Sequence, residues 1–432
     1  MANVRRLVGL VAAALLLAAV AGPAAPAQDQ PLDGERVEVA AVWTGTEQKN
    51  FKKVLDAFEK RTGASVRFTS TGDDIAPALE PRIAGGNPPD VAVLPQPGLL
   101  RDFAGRGALQ PIEDVAGTEV DTNYAPIWRE LGTVNGQLYG VWFKAANKSL
   151  AWYNAKVLRD AGVQPATDFS QLLTDMQTIA DSGVKPLSVG AANGWTLTDI
   201  FENVYLAQAG AEKYDQLAEH QIPWTDDSVK QALTTMGQIV QADYLAGGTR
   251  GALQTEFPES IQNLYASPPK AGLSVEGDFV AGVISGDTSA KLGKNARFFP
   301  LPGMAGGQPP VVTGGDVAVL FKDSAGGKEL IKFLATPEAA QVWARSGGYI
   351  SANRNVPPRA YSNATFRQIA NVLVTSTNVQ FDLSDQQPAS FGATDGQGMW
   401  KIFQDFLSNP SNVDGTAEQL ESAAAQAYAS GG

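Results

Sequence analysis

The chain has 432 residues, with 33 Lys and Arg against 45 Asp and Glu, a formal net charge of −12, and no cysteine. Disulfides, thiolate metal sites and a cysteine nucleophile are thereby excluded, and the acidic balance argues against nucleic acid or anionic lipid as a partner. A single histidine, His220, gives little footing to that residue's common catalytic and metal roles, so no cofactor and no metal is expected.

In chain order, Arg5 and Arg6 precede an apolar run from Leu7 to Ala21, which Gly22 and Pro23 break. Ala25-Pro26-Ala27 then has the small-x-small pattern of a signal-peptidase site. The run is short of the about 20 apolar residues that a stable bilayer span needs. Residues 1–27 are expected to be a cleaved secretory signal, since a helix apolar on all sides beside a Pro/Ala/Gln linker would have little to pack against. The mature chain would start near Gln28, and loss of Arg5 and Arg6 takes its formal charge from −12 to −14. No later segment resembles a membrane span, and no cysteine is present to carry a lipid anchor. A soluble extracytoplasmic protein, free in a periplasm or secreted, is expected.

Beyond the signal, strands and helices alternate. Val37, Val39 and Ala41 alternate with Glu38 and Ala40 in a strand within Gly34–Thr44. Glu47–Thr62 is an amphipathic helix with Phe51, Val54, Leu55 and Phe58 at helical spacing, closed by Gly63 behind Lys60 and Arg61. Ser65–Ser70 is the next strand, and strand, helix, strand in so compact a run predicts a parallel sheet. Pro77–Ala84 is a helix, Asn87-Pro88-Pro89 a turn, and Asp90–Leu94 an apolar strand suited to a parallel interior. Further strands are predicted at Ser149–Tyr153, Lys185–Val189, Gly272–Val275, Ala296–Phe299 and Asp316–Phe321. Helices are predicted at Asp168–Asp181, Thr198–Ala209, Asp226–Asp243 and Gly327–Ala335, with Pro337–Ser430 mainly helical. A mature chain of this size is expected to form two domains. No Gly/Ser linker separates independent units, so two α/β lobes joined by several short crossovers are expected.

Several segments carry a resemblance. The Trp43 strand end, the helix ending Phe58-Glu59-Lys60-Arg61-Thr62-Gly63, and Gly86-Asn87-Pro88-Pro89-Asp90-Val91 resemble the start of extracellular solute-binding proteins of carbohydrate ABC importers (family 1). Its alpha-glucoside-type branch is resembled by Tyr139-Gly140-Val141-Trp142 leading into Lys148-Ser149-Leu150-Ala151-Trp152-Tyr153-Asn154, by Gly194-Trp195-Thr196-Leu197-Thr198-Asp199, and by His220-Gln221-Ile222-Pro223-Trp224. Gly314-Gly315-Asp316-Val317, Leu334-Ala335-Thr336-Pro337-Glu338, Gly347-Gly348-Tyr349-Ile350-Ser351 and Phe381-Asp382-Leu383-Ser384-Asp385 continue it, and Trp400 begins the last amphipathic helix. The sequence departs from that branch in having no cysteine near Pro268-Pro269-Lys270 and in Gln386-Gln387-Pro388, where an aromatic-rich loop is expected. The resemblance implies a periplasmic-binding-protein-like type II fold, with two α/β lobes, a ligand cleft and several crossovers. Lobe 1 would comprise residues 36–146 plus 297–346, and lobe 2 residues 147–296 plus 347–432.

In open α/β sheets a ligand sits beyond the carboxyl ends of strands. A sugar is held by an aromatic platform against its C–H face and by polar groups against its hydroxyls. Trp43, Thr44 and Glu47 follow the first strand, Thr71, Asp73 and Asp74 the second, and Pro95, Gln96 and Pro97 the third. Trp43 could equally edge the core, and Asp73 with Asp74 could form a solvated turn. The resemblance places Lys144 and Asn147 at the first crossover, where Lys144 could instead cover an aromatic neighbour at the surface. It also makes Trp195 a stacking platform, with Asp199 alternatively a helix N-terminal charge, and brings Glu276, Gly277 and Asp278 near the ligand. Gly314 and Gly315 permit close backbone approach, Asp316 offers a carboxylate or a strand cap, and Tyr349 and Trp400 are stacking candidates or core residues.

The function implied is capture of a sugar, an alpha-glucoside or other oligosaccharide, by a monomer that closes its lobes and delivers the ligand to ABC permease subunits. A secreted glycosidase with two carboxylates flanking the cleft and a surface lectin are the competing classes.

Overall fold

The computed structural model describes residues 31–72, 75–375 and 379–429. The expected signal, residues 1–27, and the candidates Asp73 and Asp74 lie outside the described residues. Among those described, no helix is long and apolar enough to cross a membrane.

Two larger sheets organise the chain. In the first, β1 (Arg36–Ala41), β2 (Ser65–Ser70) and β3 (Val91–Leu94) run parallel, as the βαβ unit predicts, with Val39 beside both Phe68 and Val91. The Gly45–Thr62 helix between β1 and β2 buries Phe51, Val54, Leu55 and Phe58, and Gly63 ends it in the left-handed conformation (φ 81) that lets its N–H reach the Glu59 carbonyl. A short hairpin of β4 (Thr133–Val134) and β5 (Gln137–Leu138) leads into β6 (Gly140–Asn147). β6 is buried along its whole length, so its sequence lacks the polar–apolar alternation that reveals a half-buried strand.

The second sheet is built from β7 (Leu150–Asn154), β8 (Lys185–Leu187), β9 (Ala271–Glu276) and β10 (Ala296–Pro300), in the order β10-β7-β9-β8. β11 (Val311–Leu320) then returns to the first sheet, antiparallel to β3 and β6, and β12 (Val379–Phe381) pairs with its first residues. The path through the first sheet is β12-β11-β3-β1-β2, with β6 also on β11. β11 starts well before Asp316, because Gly314-Gly315 interrupts the apolar pattern without interrupting the strand. The helix predicted at Thr198–Ala209 is the middle of a longer one, Trp195–Ala218, kinked at Gly210.

An apolar core surrounds each sheet. Phe51, Phe58, Trp142, Phe143, Trp343 and Tyr349 anchor the first, while Phe201, Tyr205, Tyr214, Trp224 and Phe403 anchor the second. β10 belongs to the second sheet although the sequence reading starts the returning lobe 1 segment at residue 297. β12 belongs to the first sheet, and Phe366 and Ile369 to its core, although that reading places residues 347–432 in lobe 2.

The chain passes between the sheets three times, at Lys148-Ser149, between Pro300 and Val311, and at Asp382. All three passages are bonded together. Lys148 N–H donates to the Val312 carbonyl (2.8 Å), Leu301 N–H to the Ser149 carbonyl (2.9 Å) and Asp382 N–H to the Thr313 carbonyl (2.7 Å). The buried Ser149 hydroxyl accepts from Val312 N–H (2.7 Å) and donates to Asn203 Oδ1. Ser149→Ala leaves both partners without a bond in a dry environment, so a loss of about 1–3 kcal/mol is expected in urea unfolding. An unchanged midpoint and slope would show that the crossovers do not depend on that hydroxyl.

Candidate ligand-binding cleft

A cleft of about 460 Å³ opens where the two sheets face each other. From the first sheet's side it is lined by Trp43 to Glu47, Thr71, Gly72, Pro95, Gln96, Lys144, Gly315 and Asp316. From the other side come Asn193, Trp195, Thr198, Glu256 to Pro258, Phe279, Val283, Asp287, Asp385 and Trp400. Helices starting at Gly45, Pro97, Trp195 and Phe257 have their first turns on the cleft, so the positive ends of their dipoles face it. Such an environment favours oxygen-rich ligands.

Lys144 is the centre of the first wall. Its ammonium donates to Glu47 (2.7 Å), lies 3.6 Å from Asp316, and stands 5.6–5.8 Å from the ring centres of Trp43, Phe279 and Trp343. The β6–β11 register pairs Lys144 with Asp316 and then slips, so that Trp142 pairs with Val317. Paired directly across the strands, Asp316 faces the same way as the lysine. Burial opposes the charge on Lys144, but Glu47 and Asp316 outweigh it and hold the ammonium's pKa above its ordinary value. The bare Cα of Gly315 makes room for the strand partner: a Cβ there would stand 2.6 Å from the Lys144 carbonyl oxygen and 3.0 Å from the Trp142 ring.

The opposite wall is aromatic. Trp195 packs against Phe257 (5.2 Å) and Phe279 (6.0 Å) and remains only half-buried. Trp400 is 5% exposed, and its indole N–H has no partner. Gly194, at φ 100, brings the two tryptophans together, since a Cβ there would meet the Trp400 backbone at 2.7 Å. The Gln96 side-chain oxygen is likewise buried without a partner. Glu256 and Asp287 are exposed carboxylates on the rim.

Of the residues picked from sequence, Trp43, Glu47, Gln96, Lys144, Trp195, Gly315, Asp316 and Trp400 line this cleft. Trp43 does so with little surface: it is 3% exposed and packs edge-on against Phe51 (4.6 Å) and Trp343 (4.7 Å). Five others are placed elsewhere. Tyr349 is wholly buried, stacks on Trp343 and donates to the Phe143 carbonyl (2.6 Å). Asn147 and Asp278 bind each other: Asn147 N–H donates to the Asp278 carboxylate (2.7 Å), and Asp278 N–H returns a bond to the Asn147 carbonyl (3.0 Å). Asp199 and Glu276 lie fully buried behind Lys148. Lys148, Phe257, Phe279 and Asp385 were not singled out, although each is on the wall. Lys148 follows β6, a strand that the sequence pattern does not reveal, while Phe257 opens one helix and Phe279 caps the next, so reading only the first residues after the predicted strands passes over all three.

Lys148 closes the floor. Its ammonium binds Asp382, lies 3.1 Å from Asp199 and 3.7 Å from Asp385, and sits 5.9 Å from the Trp195 ring centre. Burial disfavours its charge, but these carboxylates more than offset that and raise its pKa. Five acidic side chains surround this one cation, and they cannot all ionise. Burial pushes Asp199 up to about 7 despite Lys148, and pushes Glu202, Glu276 and Asp385 well above the ordinary carboxylate range. For Asp382, the Lys148 bond overcomes burial and keeps the carboxyl ionised. Asp199, Glu202 and Asp382 bring oxygens within 4.8 Å of one another, as a metal site would require. Lys148 already provides the positive charge there, and Glu202 accepts the Leu383 and Ser384 N–H groups.

The model of the family described as bacterial extracellular solute-binding protein matches residues 43–341. The chain is 31% identical over 414 residues to the osmoprotective compounds-binding protein GgtB of Synechocystis, covering 94% of this chain and 95% of that one. It is also 31% identical over 398 residues to the alpha-glucosides-binding periplasmic protein AglE of Rhizobium meliloti, covering 89% and 86%. Among solved structures, a chitin oligosaccharide binding protein superposes with a TM-score of 0.79 at 17% identity, over 91% of this chain and 99% of that one. That likeness establishes the type II periplasmic-binding-protein fold.

The raised carboxyls set the direction of pH dependence. Between the ordinary carboxylate range and about 7, the folded state holds protons on Asp199 and its neighbours that the unfolded chain has released. Stability therefore declines as pH rises through that window, and Asp382, held low, acts only below it. Calorimetric melting is expected to give a higher Tm at about pH 5 than at about pH 8, with Asp199→Asn flattening the difference. A Tm that climbs across this interval would contradict the assignment.

Proposed function

The chain belongs to the bacterial extracellular solute-binding proteins, and from that membership we propose that it is the substrate-binding component of an ABC importer. It captures an alpha-glucoside or another short oligosaccharide outside the cytoplasm and hands it to membrane permease subunits. The observation that carries this reading is the cleft wall, where Trp195 and Trp400 face a row of carboxyl and amide groups around Lys144. The first pair suits the C–H face of a sugar and the second its hydroxyls.

In this reading Glu47, Asp316 and Asp385 bind ring hydroxyls, and Trp195 stacks on a ring face. The unpaired Gln96 oxygen and Trp400 N–H take one hydroxyl each, since a buried polar group without a partner is costly until a ligand satisfies it. Lys144 positions Glu47 and Asp316 rather than meeting the ligand as a free charge. Asp73 remains a further contact candidate beside Thr71 and Gly72. Binding between the two walls favours the closed arrangement over the open one, and the closed face is what the permease recognises. The protein works as a monomer, released by cleavage near Ala27, and does not turn its ligand over. The name of AglE supports the alpha-glucoside choice, and that of GgtB widens it to osmoprotective compounds.

Tryptophan-fluorescence titration of the purified protein with maltose, trehalose and sucrose is expected to saturate for at least one of them, with a smaller scattering radius at saturation. Release of glucose on prolonged incubation would make the protein a glycosidase instead. Trp195→Ala is expected to weaken binding by about 1 kcal/mol or more, several-fold in Kd. An unaltered Kd would remove that ring from the contact set.

A further inference from the structure

One end of the cleft is flanked by a glycine packed against the Thr46 side chain. The Val280–Asp287 helix runs along the wall, with Phe279, Val283 and Asp287 toward the cleft. Its Gly282 and Gly286 are four residues apart and so share a face. A Cβ built at Gly286 would stand 1.9 Å from Thr46 Oγ1 and 3.0 Å from Thr46 Cβ. One built at Gly348 would stand 2.9 Å from the Gly282 Cα. The helix thus lies against the first turn of the Gly45–Thr62 helix, across the cleft, so closely that a side chain at 286 would force Thr46 to shift.

Local conformation does not account for this glycine. Gly286 is not in the left-handed region that requires one, and glycine is a poorer helix former than alanine. Gly286 is exposed and Thr46 half-buried, while Thr46 and Asp287 both line the cleft, so the contact lies at the rim. At about 460 Å³ the enclosed space is in the lower part of the range for small-molecule sites, about 300–1,000 Å³.

Resting on the sugar-binding reading above, we infer that Gly286 is a specificity-determining position whose contact with Thr46 seals this end of the cleft and limits the ligand to a short saccharide. A mono-, di- or trisaccharide is enclosed. A longer chain would have to leave past the Val280–Asp287 helix, which requires Gly286 and Thr46 to separate. Ligand length is therefore set by the rim contact, not by the hydroxyl-binding groups deeper in the cleft.

Calorimetric titration with maltose, trehalose and sucrose as short probes, and maltotetraose and maltoheptaose as long ones, tests this. The wild-type protein is expected to bind a short probe and to bind the long ones far more weakly. Gly286→Ala is expected to weaken the short probe roughly tenfold, the scale of a methyl forced into a packed contact, and to narrow the gap between short and long. Adding Thr46→Gly to Gly286→Ala restores the space and is expected to recover short-probe affinity. Thr46→Gly alone, which removes a half-buried side chain and leaves the fold intact, is expected to improve binding of the long probes. Equal affinity for short and long probes in the wild type, or a Gly286→Ala protein indistinguishable from it, would overturn the inference while leaving the sugar-binding reading standing. If no probe binds the wild type at all, that reading fails and the inference with it.

Discussion

The structure depends on one buried ammonium group. Lys148 sits where the chain first leaves one sheet for the other, and its side chain reaches Asp382 at the third passage and Asp199 in the long helix of the second core. Taking an ammonium out of water costs several kcal/mol, recovered only when its partners are complete. That requirement makes the junction all-or-none: if one strand connection shifts, a charge is stranded. The backbone bonds of Lys148 and Ser149 to the second passage complete the same junction. The two halves therefore meet at a junction of fixed geometry on the floor of the cleft.

The floor and first wall of that cleft follow from strand geometry. Lys144 and Lys148 are four residues apart along an extended segment, so their side chains emerge on one face, toward the cleft. Asp316, paired directly with Lys144 across the strands, faces the same way. Aromatic rings around Lys144 and carboxylates around Lys148 keep both ammonium groups in place without a ligand. The polar lining is preorganised, and ligand binding need not order long flexible side chains.

Strands and helices with clean periodicity were legible in the sequence: β1 to β3 and the helix capped by Gly63 lie within a few residues of their expected bounds. β6 was not, because burial on both faces removes the alternation that marks a strand. Missing β6 also explains the misplaced Asn147. Past the bulge at Phe143, Lys144 and Ala146 share the face that lines the cleft, and Ala145 and Asn147 take the other. The Asn147 side chain therefore turns away from the cleft, where its oxygen accepts the Ser149 N–H (3.0 Å), and only its backbone meets Asp278. The strand-end rule correctly finds the loops around the cleft, but it does not say which way a side chain points. Tyr349 shows this limit: its loop passes near the site while its ring fills the core. The Lys148 cluster draws on residues 148, 199, 202, 276, 382 and 385. No local pattern connects positions so far apart, and only the three passages bring them together.

Charge compensation in the cleft also bears on the kind of ligand it suits. Lys144 faces Glu47 and Asp316, and Lys148 faces Asp199, Asp382 and Asp385, so both lysines on the cleft wall already have more than one carboxyl partner. Among the described residues the remaining charges on the wall, Glu256 and Asp287, are negative and exposed. A ligand carboxylate or phosphate entering here would give up its hydration without gaining a free cation, and would meet two acidic rim residues on the way. A neutral polyol meets neither penalty: its hydroxyls donate to the ionised carboxylates and accept from the protonated ones. Burial pushes Asp385 toward its proton-bearing form while Glu47 beside Lys144 offers acceptor oxygens, so the wall presents carboxyls of both kinds. The same excess of buried acid that makes stability sensitive to pH matches the two-way hydrogen bonding of a sugar hydroxyl.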